Sequence, residues 1–220
     1  MTADKPAPAA SYPARIERLA LCDLMAELGP KAPTMCEGWN TGDLAAHLVV
    51  REYRPDAAAG ITIGALSGLT ERVRRKTRDR TPFPDLLERI RQGPPKWSLF
   101  GLPGMDKALN TAEYFVHHED VRRAQPDWTP RPADPVLDEL LWRRLRATAR
   151  LVMRKVPAEV TVVRPDGKTL LITKGGKRAR VHGPVSELVL WVFGRRDVAQ
   201  VRFTGEAEAV DALKRHRWRV

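Results

Sequence analysis

Apolar side chains recur at the spacing of an α-helix through most of the first 155 residues of the chain. One such segment covers about 12–28 and stops at Gly29 and Pro30. The next covers about 42–54, with Thr41 placed to cap it and Asp43 in its first turn. Further helices are predicted at 83–92, from about 106 to 124, and from 136 to about 155. The four long helices and their long connections favour a mainly α fold built on an antiparallel four-helix bundle.

The pattern changes at Pro157. Residues 159–176 predict two half-buried strands around a Pro-Asp-Gly turn, because apolar positions alternate with polar ones. A helix is expected between Pro184 and Gly194, then a third strand near 201–206 and a final helix near 207–218. These elements predict a small α+β domain over 157–220. It follows a helical domain over 1–156, whose residues 1–11 form an Ala- and Pro-rich tail.

The composition adds a net charge of +11, which raises the hypothesis of a nucleic-acid partner. The sharpest basic run, 71–80, holds no aromatic residue and is interrupted by Glu71 and Asp79, which favours a solvated helix face or loop. No apolar run reaches the roughly 18 residues of a membrane span, and the N-terminus does not resemble a secretory signal. Two cysteines, Cys22 and Cys36, indicate no disulfide scaffold, so we expect a cytoplasmic protein.

Residues 110–124, NTAEYFVHHEDVRRA, combine carboxylates and imidazoles with an apolar strip. Along a helix, Glu113 and His117 lie one turn apart on nearly the same side, and Asp120 lies close to Glu113 in angle. A carboxylate oxygen and an imidazole that point to one place suit a divalent metal ion. His118 is turned by about 140° from Glu113 and is not expected to share that place.

A third ligand has to come from another helix, and His47 is the best candidate because its helix is apolar around it. A His/Glu/His set leaves one or two coordination positions open, which is typical of a catalytic site. Asp120 is then expected to hold an imidazole by its second N–H. The ordinary alternatives are a weak Glu–His contact on a helix surface and a hydrogen-bonded core histidine.

Two motifs, CEGWNTGDLAAHLV at 36–49 and AEYFVHHEDVRRA at 112–124, resemble those of the mycothiol-dependent maleylpyruvate isomerase family, part of the DinB-like group of four-helix metal proteins. The family pattern is a tryptophan, a Thr/Ser-x-Asp helix start and a histidine, followed much later by Glu-x-x-x-His-x-x-Asp. The matching residues here are Trp39, Thr41, Asp43, His47, Glu113, His117 and Asp120. Residues 181–206 are similar to the family's small C-terminal domain, which resembles sterol-carrier folds. The chain looks closest to an actinobacterial subgroup of metal-binding proteins that generally lack an assigned reaction.

The resemblance implies that His47, Glu113 and His117 bind a divalent metal, usually zinc, although nickel, cobalt or iron also suits these ligands. It also implies that mycothiol, a low-molecular-weight thiol, is a cosubstrate bound as thiolate. The thiolate would attack an electrophile such as an activated C=C, in a cis–trans isomerase or an S-transferase. Arg51 and Trp39 are candidate cofactor-binding residues at the pocket, and the basic surroundings suit an acidic substrate.

Other roles have more than one interpretation. Arg195 or Arg196 matches an arginine that the small domain of the related enzyme gives to its active site, or else simply follows a helix end. Cys36 is expected near the mouth of the site, and both cysteines are soft ligands, redox thiols or inert buried residues. A non-catalytic metal- or ligand-binding module and a basic nucleic-acid-binding protein compete with the enzyme as functions. The chain is expected to be a monomer or a homodimer.

Overall fold

The computed structural model describes residues 13–54, 67–95, 98 and 110–216. Within them, eight helices and four strands form. The helices are α1 (Pro13–Leu28), α2 (Thr41–Tyr53), α3 (Ser67–Arg80), α4 (Phe83–Gln92), α5 (Thr111–Arg122), α6 (Pro135–Val152), α7 (Val185–Val192) and α8 (Ala207–Arg215). The strands are β1 (Glu159–Val163), β2 (Thr169–Thr173), β3 (Arg178–His182) and β4 (Arg202–Gly205). The chain divides after Thr129 into two compact units. None of the described helices has the length and apolar character needed to cross a membrane.

The first unit is organised around one apolar core. In it, α1 packs against α5 and α4, while α2 packs against α3 and α4. Four helices, α1, α2, α4 and α5, supply the buried side chains, which include Leu21, Cys22, Met25, Leu44, Leu48, Leu86, Ile90, Tyr114 and Val121. Full burial of a large apolar side chain stabilises a fold by about 1.5–3 kcal/mol. The two helices that carry the predicted ligands, α2 and α5, are therefore held by the same core.

The fourth helix of this core differs from the expectation. The helix after residue 135 was expected to complete the bundle, but α4 contributes to the core instead, through Leu86, Leu87 and Ile90. Those three residues lie on one side of a short amphipathic helix, so the helix can bury an apolar face. In turn, α6 packs against α7 and β2 within the second unit. The expected domain boundary at 156/157 therefore falls inside the compact unit that begins at Pro130.

The start of α2 is fixed by Asn40 rather than by Thr41. The Asn40 side chain accepts a hydrogen bond from the Asp43 N–H at 2.9 Å, and the Asp43 carboxylate accepts one from the Asn40 N–H at 3.2 Å. This reciprocal pair is a capping box. Thr41 donates its hydroxyl to the carbonyl of Gly29, which ties the helix that carries His47 to the end of α1.

The basic run 71–80 lies on α3, a helix that the apolar pattern did not predict. Arg74 and Arg78 both donate to the same carboxylate oxygen of Asp43, and Arg74 also forms an ion pair with Glu71. Arg74 is only 4% exposed, so this part of the run is not the solvated face that we expected. The helix is held by tertiary ion pairs to the start of α2, a signal that local hydrophobic periodicity does not carry.

The second unit is built on a mixed sheet with strand order β2-β1-β3-β4. Strand β1 is antiparallel to β2 and parallel to β3, and β4 is antiparallel to β3. The predicted Pro-Asp-Gly turn joins β1 to β2, with Gly167 at φ +81° and its N–H donating to the Arg164 carbonyl. Strands and helices share a core of Val160, Val162, Ile172, Ala179, Val181, Leu188, Trp191 and Leu213.

Strand β3 is absent from the sequence-based prediction. Its residues, RARVH, bury only Ala179 and Val181, and charged side chains occupy the alternate positions. Two apolar residues are too short a pattern to indicate a strand on their own. The following helix agrees with the prediction, since α7 is entered through Pro184 and its end is followed by Gly194.

Candidate metal centre

His47 on α2 meets Glu113 and His117 on α5. Nε2 of His47 lies 3.5 Å from Oε1 of Glu113, and Nε2 of His117 lies 3.3 Å from the same oxygen. One ligand atom from each of the three residues lies within 4.8 Å of the other two. Both imidazoles are almost buried, whereas the Glu113 side chain keeps 26% of its surface exposed. The structure thus brings the three predicted residues together, with Glu113 facing solvent in part.

These separations resemble the edges of a coordination sphere. An N–H···O hydrogen bond is usually about 2.7–3.2 Å long. A tetrahedral zinc ion with Zn–N and Zn–O bonds of about 2.0–2.1 Å keeps neighbouring ligand atoms about 3.3 Å apart. The distances of 3.3 and 3.5 Å at Glu113 are closer to that second value. The carboxylate oxygen of Glu113 therefore lies at a distance from each imidazole nitrogen that suits a shared divalent ion.

Arg51 contacts the carboxylate of the same site. Its Nε lies 3.3 Å from Oε1 of Glu113, and its terminal nitrogen donates to the side-chain oxygen of Asn110. Burial opposes ionisation of Glu113, but Arg51 and the two imidazoles hold the pKa of that carboxyl well below its usual value. Arg51, which we expected to border the pocket, is therefore placed to keep Glu113 charged and oriented.

The two imidazoles have opposite electrostatic surroundings. Burial lowers the pKa of His47, and the positive charges of His117 and Arg51 act in the same direction. Burial also disfavours the charged form of His117, but Asp120, Cys36 and Glu113 raise its pKa well above the ordinary value. In the absence of a metal, these contacts therefore favour the charged form of His117 beside the two carboxylates. A divalent ion can take the place of that charge.

Asp120 and Cys36 contact the other ring nitrogen of His117. Oδ2 of the fully buried Asp120 side chain lies 2.9 Å from Nδ1 of His117. The Cys36 thiol donates to the same oxygen at 3.2 Å and lies 3.9 Å from Nδ1. Asp120 thus lies beside the second ring nitrogen of His117, and its role in holding that imidazole for a metal stays a prediction. The contact between Cys36 and Asp120 was not predicted, although the motif that contains Cys36 pointed to the mouth of the site.

Trp39 covers His47. The two rings are 5.1 Å apart and inclined by 51°, and the guanidinium of Arg74 lies 4.6 Å from the Trp39 ring centroid. Because Arg74 is bonded to Asp43, the acidic residue of the helix start supports Trp39 through that arginine. Trp39 therefore acts on the site by packing, and its predicted contact with a cofactor remains a prediction.

A buried polar network continues inward from Arg51. The Asn110 amide donates to Glu52 at 3.2 Å, and Glu52 accepts two hydrogen bonds from Arg18 at 2.7 and 2.8 Å. Tyr114 donates its hydroxyl to the same carboxylate at 2.9 Å. The sequence analysis did not predict this network. Asn110 lies one turn before Glu113, and that spacing could have indicated that Asn110 reaches the site.

The remaining candidates lie elsewhere. His118 is bonded through Nδ1 to Glu17 at 2.9 Å, in agreement with the expectation that it does not share the site. Arg195 donates to the carbonyl of Phe193 at 2.6 Å, and Arg196 donates to the carbonyls of Leu213 and His216. Both arginines thus have hydrogen bonds within the second unit.

Solved structures with the same fold include the crystal structure of the mycothiol-dependent maleylpyruvate isomerase. It matches with a TM-score of 0.53 and 15% sequence identity, over 89% of this chain and 92% of that chain. The crystal structure of an alanine mutant of that isomerase matches with a TM-score of 0.54 at the same identity and coverage. No protein-family model and no curated protein matches the chain. The motif resemblance is therefore supported at the level of the fold.

Proposed function

We propose that this protein binds a divalent metal ion through His47, Glu113 and His117 and uses it as a thiol-dependent enzyme. The observation that carries the proposal is the meeting of these three ligand atoms at distances that suit one ion. Two histidines and one glutamate are an established ligand set of catalytic zinc, with a position left for water or substrate. Zinc is the preferred ion, while nickel, cobalt and iron fit the same donors.

When bound, such an ion lowers the pKa of a coordinated thiol and so supplies a nucleophilic thiolate near neutral pH. The residues of the chain prepare the place for it. Arg51 keeps Glu113 ionised, and burial keeps His47 neutral with a free lone pair on one ring nitrogen. Asp120 holds Nδ1 of His117, so that Nε2 faces Glu113. These contacts orient three donors before a ligand arrives, which reduces the cost of ordering them on binding.

The thiol is proposed to be mycothiol, because two solved structures that share this fold are of a mycothiol-dependent isomerase and its alanine mutant. In the proposed reaction the thiol sulfur forms a bond to one carbon of an activated C=C, and the other carbon takes a proton. In an isomerase, rotation about the resulting single bond is followed by loss of the proton and of the thiol, which regenerates the double bond. In an S-transferase the new C–S bond remains. The acidic character of the electrophile stays a prediction, because the charge of Arg51 is paired with Glu113.

The test begins with metal binding. Zinc binding to the full chain is measured by calorimetry for the wild type and for His47→Ala, Glu113→Gln and His117→Ala, with His182→Ala in the second unit as the matched control. We expect each ligand variant to lose more than the roughly 10–100-fold that removal of an outer-shell partner costs, and the control to bind normally. Equal zinc binding in all variants would remove the site from consideration.

The second step separates an enzyme from a binding module. The zinc-loaded protein is incubated with mycothiol and electrophiles that carry an activated C=C, and both isomer and adduct are measured. Turnover that depends on zinc, on the thiol and on His117 supports the enzyme. Tight zinc binding without thiol binding or turnover supports the non-catalytic metal-binding module. Salt-sensitive retention on DNA without any metal dependence supports the nucleic-acid binder instead.

A further inference from the structure

The turn before α2 approaches both imidazoles of the candidate centre. Thr34 organises it: its hydroxyl accepts the Cys36 N–H at 3.2 Å and donates to the Trp39 carbonyl at 2.8 Å. The Trp39 N–H donates to the Cys36 carbonyl at 2.9 Å. The backbone N–H of Met35 donates to the Asp120 carbonyl at 2.9 Å, which fastens the turn to α5. The positions of the Cys36 thiol and of the Trp39 ring are therefore set by backbone contacts.

We propose that Cys36 is a positioning residue of the metal centre, whose thiol fixes the Asp120 carboxylate that orients His117. This inference rests on the proposed function, because it assumes that His117 is a ligand through Nε2. The thiol and Nδ1 of His117 approach the same oxygen of Asp120, at 3.2 and 2.9 Å. A carboxylate oxygen has more than one acceptor site, so it can take both donors.

The distances at His117 indicate which of its ring nitrogens Asp120 holds. The 2.9 Å between Nδ1 of His117 and Oδ2 of Asp120 is a hydrogen-bond length, shorter than the separations at Glu113. Because an ionised carboxylate can only accept, Nδ1 is the donor in this contact, and Nε2 is the ring nitrogen that faces Glu113. Groups that fix the ring orientation of a ligating histidine commonly change metal affinity by about 10–100-fold when removed. Cys36 acts on His117 indirectly, through its hydrogen bond to Asp120.

The same turn also packs Trp39 on His47 at 5.1 Å. One segment thus supports the two histidines by different means, a hydrogen-bonded relay for His117 and ring packing for His47. That arrangement gives the Cys-x-x-Trp spacing of residues 36–39 a physical reason. Cys36 places a donor on Asp120, and three residues later Trp39 reaches the other imidazole.

The test compares Cys36→Ala, which removes the donor, with Cys36→Ser, which keeps one, and with Cys22→Ala as the control at the other cysteine. Zinc affinity is measured by calorimetry in the full chain. We expect Cys36→Ala to bind zinc about tenfold more weakly. Cys36→Ser and Cys22→Ala should stay near the wild type. An unchanged affinity in Cys36→Ala overturns the proposal, as does an equal loss in the alanine and serine variants.

A double-mutant cycle shows whether the thiol acts through Asp120. In an Asp120→Asn background, Cys36→Ala should have little further effect on zinc affinity, whereas independent effects would add. Cobalt provides a second check, because a thiolate-to-cobalt charge-transfer band that is lost in Cys36→Ser would make Cys36 a ligand and overturn the positioning role. Nitrogen-detected NMR of His117 should show that zinc removes the Nε2 proton and leaves the Nδ1 proton in place.

The proposed function can fail separately. If the wild type binds no zinc, the proposed metal centre is wrong. NMR of the metal-free protein still tests the hydrogen bonds that link Cys36, Asp120 and His117. In that case the Nδ1 proton of His117 should exchange faster with solvent in Cys36→Ala than in Cys36→Ser or the wild type. Equal exchange in all three proteins overturns the role of Cys36.

Discussion

The guanidinium of Arg51 lies 3.3 Å from the carboxylate oxygen of Glu113 that both histidines face. A fixed positive charge beside a candidate cation site weakens attraction of the cation, so its presence needs a reason. The reason lies in the ionisation of Glu113. Burial alone would favour the neutral form of its carboxyl, and a neutral carboxyl is a poor metal ligand. Arg51 keeps the Glu113 carboxylate ionised and pointed at the two Nε2 atoms.

Replacement of Arg51 should therefore change the acid limit of zinc binding. The pKa of Glu113 is depressed in the folded protein, so the ionised ligand persists until the pH falls through that low value. In Arg51→Met the pKa of Glu113 should rise, because burial is then opposed by the two imidazoles alone. Zinc affinity should then fall at a correspondingly higher pH. Calorimetry from neutral to acidic pH tests this, with the exposed Arg75→Met as control. Coincident profiles for Arg51→Met and the wild type would contradict the assignment.

His117 should give the metal-free protein a stability that decreases with pH. Its folded pKa lies well above the ordinary 6.5, so the stabilisation is fully present below 6.5 and is lost as the pH rises through the folded value. Zinc affinity should change in the opposite direction over the same range, because the ion competes with the proton on Nε2. Denaturant unfolding in chelator, compared with His117→Gln, measures the first trend. A His117-dependent increase in metal-free stability above pH 6.5 would refute it.

The candidate ligand set could be predicted from the sequence because its spacing is mostly local. Glu113 and His117 are one helical turn apart, and the apolar neighbours of His47 indicate that it points inward. Arg51 follows His47 by one turn and reaches the same site for the same geometric reason. Spacing along single helices therefore gave the candidate residues. The motif resemblance then implied that His47 shares one site with Glu113 and His117.

The buried side of α1 was not readable in this way. Its apolar periodicity includes Ile16, which is 51% exposed, whereas the core uses Leu21 and Met25 and buries two charged residues, Glu17 and Arg18. Charged residues enter a core only when distant partners neutralise them, and here those partners lie on other helices. Helix α3 was not predicted for the same reason, because Arg74 and Arg78 form ion pairs with Asp43 on another helix. Such pairings are tertiary information that single-sequence periodicity does not contain.

The two cysteines should differ strongly in reactivity. Burial raises the pKa of the Cys22 thiol to about 12, and its sulfur donates to the carbonyl of Leu87 at 3.8 Å. Because the thiolate is the nucleophile, Cys22 should resist alkylation at pH 8, while the partly exposed Cys36 reacts. Mass spectrometry should find one label per folded chain and two after denaturation. The site is located by Cys36→Ser, which should leave the folded protein unlabelled. Rapid labelling of Cys22 in that variant would contradict its burial.

Glu52 should be a main determinant of the stability of the first unit. Its side chain is 1% exposed and accepts two hydrogen bonds from Arg18, which is 3% exposed, as well as those from Tyr114 and Asn110. Removal of one partner leaves a buried charge uncompensated, so Glu52→Ala should lower the free energy of unfolding by about 3–5 kcal/mol. Urea denaturation measures this loss. The exposed Lys168→Ala, which removes a surface ion pair with Asp166, should stay within about 1 kcal/mol of the wild type.

Within the same network, replacement of Tyr114 should cost less stability than replacement of Glu52. Tyr114→Phe removes one hydroxyl donor but leaves the ion pair between Glu52 and Arg18, so its cost should be only about 1–3 kcal/mol. Zinc affinity should also separate the two variants. Glu52 holds Asn110, which in turn accepts from Arg51, so Glu52→Ala should disturb the Glu113 contact more than Tyr114→Phe does. Equal costs in stability for the two variants would mean that the ion pair contributes nothing beyond a neutral hydrogen bond.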